Sequence, residues 1–180
     1  LSVASACGAS VVSAPTGKAL QMNAGANAAT GGILLFLHAD TRLPLGYDTH
    51  VRRAIENPKT SAGAFLLEID GPGRALRWVE KLVAFRSRVF SLPYGDQAIF
   101  VRRPVFDSLG RYPEIPIMED FELMRRMRKK GHSIVLVPVP VYTDGRRWER
   151  LGVFRATVRN QRIILGYLLG VAPERLRQWY

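Results

Sequence analysis

The chain has one cysteine, Cys7, in 180 residues. That excludes an intramolecular disulfide and a cysteine-based metal cluster, and it suits a reducing compartment such as the cytoplasm. Histidine is almost as scarce: His38, His50 and His132 lack the mutual spacing of a zinc site. Apolar runs are short. Residues 163–171 are the best of them, with Arg162 at the edge, and they fall well below the roughly 20 residues that span a bilayer. Acidic residues number 15 against 26 lysines and arginines, so the net charge is +11. Internal repeats, low-complexity tracts, a Gly-x-Ser-x-Gly elbow, a P-loop and a dinucleotide fingerprint are also missing. The first residues, from Leu1, do not pair a basic region with an apolar one in the manner of a signal peptide.

What is present suits one globular domain with a core of its own, since 47% of the residues are hydrophobic and 23% charged. The surplus of positive charge attracts nucleic acid, anionic lipid or phosphorylated substrates. Yet the cations are spread over residues 86–88, 102–103, 125–130 and 146–162. Neither a helix-turn-helix nor an RNP-like signature accompanies them, which argues against a nucleic-acid partner. Solvated surface charge explains most of them; attraction to a phosphate-bearing donor and to an anionic membrane surface comes second.

Periodicity predicts an α/β chain. Residues 9–14 read as a strand and 16–30 as a helix with Leu20, Ala24 and Ala28 on one face. Residues 33–37 are a continuous apolar run, the pattern of a strand buried on both faces of a parallel sheet. Strand, helix and strand in that order imply a right-handed crossover. Helices follow at 45–56 and 74–90, the latter with Leu76, Val79, Leu82, Val83 and Phe90 on its apolar side, and a strand at 62–70 lies between them. Residues 97–101 predict a strand and 104–109 a short helix. Met118, Phe121, Met124 and Met127 mark the inner face of a helix over 119–130. Pro138 and Pro140 make 133–142 an edge strand. A helix over 150–169 and a last one opened by Pro173 complete the chain.

Four places carry chemistry. Asp40 follows the 33–37 strand in His38-Ala39-Asp40-Thr41, where open α/β sheets bind ligands. It can ligate a hard divalent cation or simply cap the turn before Pro44. Glu119 and Asp120 open a helix after a Pro-rich loop; a carboxylate there can act as a general base, or only favour the helix dipole. Gly95, Asp96 and Gln97 form a small-residue turn before a strand. Arg146, Arg147 and Trp148 can clamp a diphosphate, or Trp148 can anchor the last helix.

The segments Q-M-N-A-G-A, L-F-L-H-A-D-T, L-P-Y-G-D-Q, P-E-I-P-I-M-E-D and R-R-W-E-R, in this order, resemble an inverting family 2 glycosyltransferase of the GT-A fold. They look like a bacterial subgroup associated by name with arsenosugar biosynthesis. The resemblance covers about Val11 to Trp148. It implies a GT-A-like, Rossmann-type, mixed but mostly parallel sheet flanked by helices over residues 1–148, then a C-terminal helical extension over 149–180. It implies transfer from a nucleotide-sugar donor to a hydroxyl-bearing acceptor, with a divalent metal, Mn or Mg. Asp120 becomes the base, with Gly95, Asp96, Gln97 and Glu119 in the acceptor loop. Asp40 becomes the metal ligand and a donor contact, joined by Lys18 and Asn23 of a G-K-A-x-x-x-N segment and by Arg147 and Trp148. Where the family's motif is Asp-x-Asp, this chain has His38 at the first acidic position. The family's N-terminal nucleotide-holding unit has no counterpart here, so the chain is expected to be a fragment with weak activity at best. A basic module that binds a polyanion or a membrane surface, and a nucleotidyltransferase, are the alternatives. The helix over 150–169 is the candidate for peripheral membrane contact, against burial of its Leu/Ile/Tyr face.

Overall fold

The computed structural model describes residues 2–180, without the side chains of Ser2 and Arg147. In chain order its elements are α1 (Ser2–Ala6), α2 (Lys18–Ala28), β1 (Ile33–Leu35), β2 (Thr41–Arg42), α3 (Tyr47–Glu56), β3 (Thr60–Ile69) and α4 (Arg74–Phe90). A 3-10 turn at Gly95–Gln97 leads to β4 (Phe100–Arg102), α5 (Arg103–Ser108), α6 (Glu119–Lys129) and β5 (Ser133–Thr143). The chain ends with α7 (Arg146–Leu151), α8 (Val153–Leu168) and α9 (Pro173–Trp179).

The five strands form one mixed sheet in the order β1-β4-β3-β5-β2. Its two faces are covered separately. Leu34, Phe36, Ile99 and Phe106 pack with Ala19 and Ala26 of α2 and with Leu123, Met124 and Met127 of α6. On the other face Phe65, Leu67, Phe100 and Val137 meet Val51 and Ile55 of α3 and Leu76 and Val79 of α4. β3 is central and buried on both sides, which is why its sequence runs apolar without alternation. Gly63 is required there, because a Cβ would lie 2.8 Å from the Val135 carbonyl and collide with the Phe100 ring. A third apolar cluster, Met118, Phe121, Ile163 and Leu176, docks α8 and α9 on α6.

Several expectations are corrected. The sheet is mixed, as expected, but among the described residues one strand pairing, β3–β5, is parallel, and β1–β4, β3–β4 and β2–β5 are antiparallel. Residues 9–14 form no strand; they carry no regular structure and are mostly exposed, so the expected crossover unit does not form. β1 is shorter than the 33–37 run and lies at the sheet edge, paired only with β4 among the described residues. α2 buries Ala19 and Ala26 rather than Leu20, Ala24 and Ala28, because its contact with the sheet selects the neighbouring face. On α4, Leu82 and Phe90 are exposed. β5 is not an edge strand: β3 and β2 flank it, and the register skips from Val137 to Pro140 opposite Phe65 and Leu66. That irregularity takes up Pro138, whose missing N–H would otherwise break the ladder. The expected helix over 150–169 is divided at Gly152, whose φ of 75° ends α7 before α8 begins.

Candidate functional site

Four separate segments converge at one corner: the start of α2, the exit of β1 at residues 36–40, the Gly95–Gln97 turn and the start of α6. Non-glycine residues with left-handed backbone occur at Ser91, Ala98, Arg111 and Met118 among the described residues, all within the stretch that builds this corner. Each costs roughly 1–2 kcal/mol, and such conformations concentrate where geometry matters more than stability. Met118, with φ 71°, turns the Pro-rich loop directly into α6.

The turn delivers Asp120 in a fixed pose. Its Oδ2 accepts the Gly95 N–H at 2.7 Å and its Oδ1 accepts the Phe121 N–H at 2.7 Å. Gly95 is where three groups crowd together, since a Cβ there would stand 2.6 Å from His38 Nε2 and 3.2 Å from Asp120 Oδ2. His38 Nε2 is buried with no hydrogen-bond partner. Burial and then the Lys18 ammonium push the imidazole below its ordinary pKa, against the pull of Asp96, Asp120 and Asp40, so the ring is neutral near pH 7.

Asp96 points inward, with Oδ1 buried and unpartnered. Burial drives its pKa upward; Arg86 opposes that shift and Asp120 adds to it. Arg86 is fixed for this role: it donates to the Leu92 carbonyl at 3.0 Å and stacks 3.5 Å above the Tyr94 ring. Burial lifts the Tyr94 hydroxyl to about 12, so it stays protonated. Glu119 is buried and paired with Lys18 Nζ at 3.0 Å. Burial works against the Lys18 charge, but Glu119 and Asp120 outweigh it and raise the ammonium's pKa.

Not every candidate side chain at this corner meets Asp120. Gln97 is wholly buried and acts as a brace, donating to the Phe65 carbonyl at 2.9 Å while accepting from Ser87 Oγ at 2.9 Å and the Tyr94 N–H at 3.2 Å. Asn23 clamps the loop before α6: its amide donates to the Tyr112 carbonyl at 2.9 Å and accepts the Tyr112 N–H at 3.2 Å. With both ends engaged, it supports the wall instead of facing a ligand. Asp40 lies at the outer side, exposed, with the Asp144 N–H on its carbonyl at 3.1 Å. Asp144 in turn pairs with Arg146 at 2.6 Å, so the Arg-Arg-Trp segment does come up beside Asp40. The Arg147 side chain lies outside the described residues. Trp148 packs against the second core cluster, where it anchors α7.

Among the described residues, no group of three or more His, Cys, Asp or Glu side chains could hold a metal ion. Among the described residues, the Asp40 carboxylate accepts from the Thr41 hydroxyl at 3.4 Å and is otherwise exposed. One such carboxylate suits a hard cation whose other positions are filled by water and phosphate. Sequence reasoning gave no role to Arg86, which carries no motif, or to Tyr94, which stands inside the L-P-Y-G-D-Q segment; the histidine at an expected acidic position was the one visible sign of His38. Chemically, the corner brings together a carboxylate, a neutral imidazole and an ammonium, groups that can take up a proton and steady an anion. No protein-family model matches the chain and no curated protein matches it, so the geometry of this corner is the basis for a functional reading.

Proposed function

We propose that this chain carries the acceptor side of an inverting glycosyltransferase site. A sugar passes from a nucleotide-sugar donor to an acceptor hydroxyl. The observation that carries the reading is the Asp120 carboxylate, held at the α6 N-terminus by the Gly95 N–H and flanked by His38 and Lys18. The resemblance to GT-A glycosyltransferases of family 2 is consistent with it.

Asp120 takes the proton from the acceptor hydroxyl as its oxygen attacks the anomeric carbon. The bond from that carbon to the donor diphosphate breaks on the opposite face, so configuration inverts and a nucleoside diphosphate leaves. Two N–H donors aim the carboxylate, so it need not reorganise during transfer. Lys18 adds positive charge beside the leaving phosphates. A bound Mn or Mg ion would be held by Asp40 and would neutralise diphosphate charge.

A panel of nucleotide sugars with simple hydroxyl acceptors, scored for nucleoside diphosphate release in Mn, tests the reading. Release that depends on acceptor and is lost in Asp120→Asn is the expected result. Pyrophosphate release instead would identify a nucleotidyltransferase. No turnover with any donor, on a chain that still binds polyanions, would replace the enzyme reading with that of a basic binding module.

A further inference from the structure

Two helices present apolar side chains that nothing in the described structure covers. On α4, Trp78, Leu82, Phe85 and Val89 recur at helical spacing and form one stripe. Trp78 is 66% exposed and Phe85 59%. The residues that α4 buries, Leu76, Val79 and Ser87, lie on another side of the helix. On α8, Phe154, Val158, Leu165 and Leu168 form a second exposed stripe, with Phe154 80% exposed. Ala156, Ile163 and Gly166 face the protein from the opposite side of α8. α4 and α8 touch each other.

The charge beside these stripes has one sign. Arg74, Lys81 and Arg88 recur every seven residues along the flank of the α4 stripe, and Lys81 Nζ lies 5.3 Å from the Trp78 ring centre. The one acid on α4, Glu80, is turned inward to the Ile69 N–H at 2.7 Å and to Arg77 at 3.0 Å. α8 contains Arg155, Arg159 and Arg162 and no acidic residue. Apolar stripes edged by cations alone fit the boundary of an anionic bilayer, where rings and methyls enter the acyl region and guanidinium groups meet phosphates. A second copy is a poor occupant, because it would bring the same cations face to face in a chain of net charge +11. A cavity of about 320 Å³ lies between α4, α6 and α8, lined in part by Arg86, Arg125, Tyr94, Phe121 and Leu168. It joins the exposed α8 stripe to the neighbours of Gly95 and Asp120.

We propose that the α4 and α8 faces dock this protein on an anionic lipid surface. The proposal stands independently of the glycosyltransferase reading. The test is flotation with vesicles of phosphatidylcholine alone and with about a quarter phosphatidylglycerol, at low and moderate salt. The parent chain should float with the anionic vesicles, less so as salt rises, and at least about tenfold less with neutral ones. Phe85→Ser with Val89→Ser should cut binding about tenfold or more while leaving the melting temperature close to the parent's, since both side chains are exposed. Arg74→Glu with Arg88→Glu should abolish the preference for anionic lipid without touching the apolar stripe. Failure of the parent to bind at low salt overturns the proposal, as does unchanged binding in both double variants. A parent that is dimeric by light scattering and becomes monomeric in the serine variant would identify a second copy as the occupant, and the lipid surface would be ruled out.

Discussion

Replacing Gly95 with alanine tests the geometry of the corner without any knowledge of substrate. Carbon contacts are comfortable at about 3.5–4.0 Å, and the added methyl would sit 2.6 Å from His38 Nε2 and 3.2 Å from Asp120 Oδ2. Either the ring or the turn must move by most of an ångström. If the imidazole yields, the cost is that of overpacking, about 1–3 kcal/mol. If the turn yields, the Gly95 N–H also leaves the Asp120 carboxylate, and a hydrogen bond to a charged group adds about 1.5–3 kcal/mol. For a chain of this size each kcal/mol lowers the melting temperature by about 2–4 °C. Gly95→Ala should therefore melt about 2–12 °C below the parent by circular dichroism if the ring yields, and up to about 24 °C below it if the turn does. Adding His38→Ala removes the obstructing ring, so the double variant should lose less than the sum of the two single changes. A melting temperature for Gly95→Ala within about 1 °C of the parent, or strict additivity with His38→Ala, would refute the crowding of these three groups.

Asp120→Asn should lower turnover by about 10²–10⁴-fold with little change in donor affinity, since the amide keeps the size but cannot take a proton; retention of a tenth of the parent rate would count against the base. Asp40→Asn should weaken Mn-dependent binding of nucleoside diphosphate in calorimetry without shifting the melt, and equal affinity would remove the ligand role. His38 has a folded pKa below that of the unfolded chain, so its contribution to stability is present above about pH 6.5 and is lost as pH falls through the folded value. Between pH 7.5 and pH 5 the parent should therefore lose more melting temperature than His38→Gln does. Asp96 has the opposite sign: its raised pKa penalises the folded state as pH rises through the folded value, so Asp96→Asn should melt higher than the parent at pH 7.5, with the gap closing toward pH 4.

How far the sequence revealed the structure depended on the range of the forces involved. α4 and α6 were legible because their patterns are local: the Met118, Phe121, Met124 and Met127 stripe is buried as expected, and the carboxylates and cations of α6 sit at the ends that suit its dipole. β3 was legible from its apolar run. Strand order was not, because a run such as Ile33–Leu37 looks the same at an edge as at the centre; only the partner decides, and the partner of Leu34 is Val101, 67 residues away. Gly95, Asp96 and Asp120, which the sequence singles out through their motif, lie together at the corner. For Gln97, expected in the acceptor loop, and Asn23, expected at the donor, the sequence shows an amide but not the partners that its two ends hold. Arg86 was invisible because its importance comes from a ring and a carboxylate supplied by the following loop.

The strand order β1-β4-β3-β5-β2 also fixes the sequence of events on the ribosome. No sheet neighbours here are joined by a tight hairpin; even β3 and β4 are separated by the whole of α4. β2 has to wait for β5, and the hydroxyls of Thr41 and Thr143 meet across 102 residues. During synthesis at about 5–20 residues per second, the half of the corner carrying His38 and Asp40 emerges several seconds before α6 brings Asp120 to it. Until then β3, the most deeply buried strand of the sheet, has no parallel partner. The nascent chain passes through a period in which its future centre is an uncovered strand, the circumstance in which slow non-local pairing gives way to aggregation.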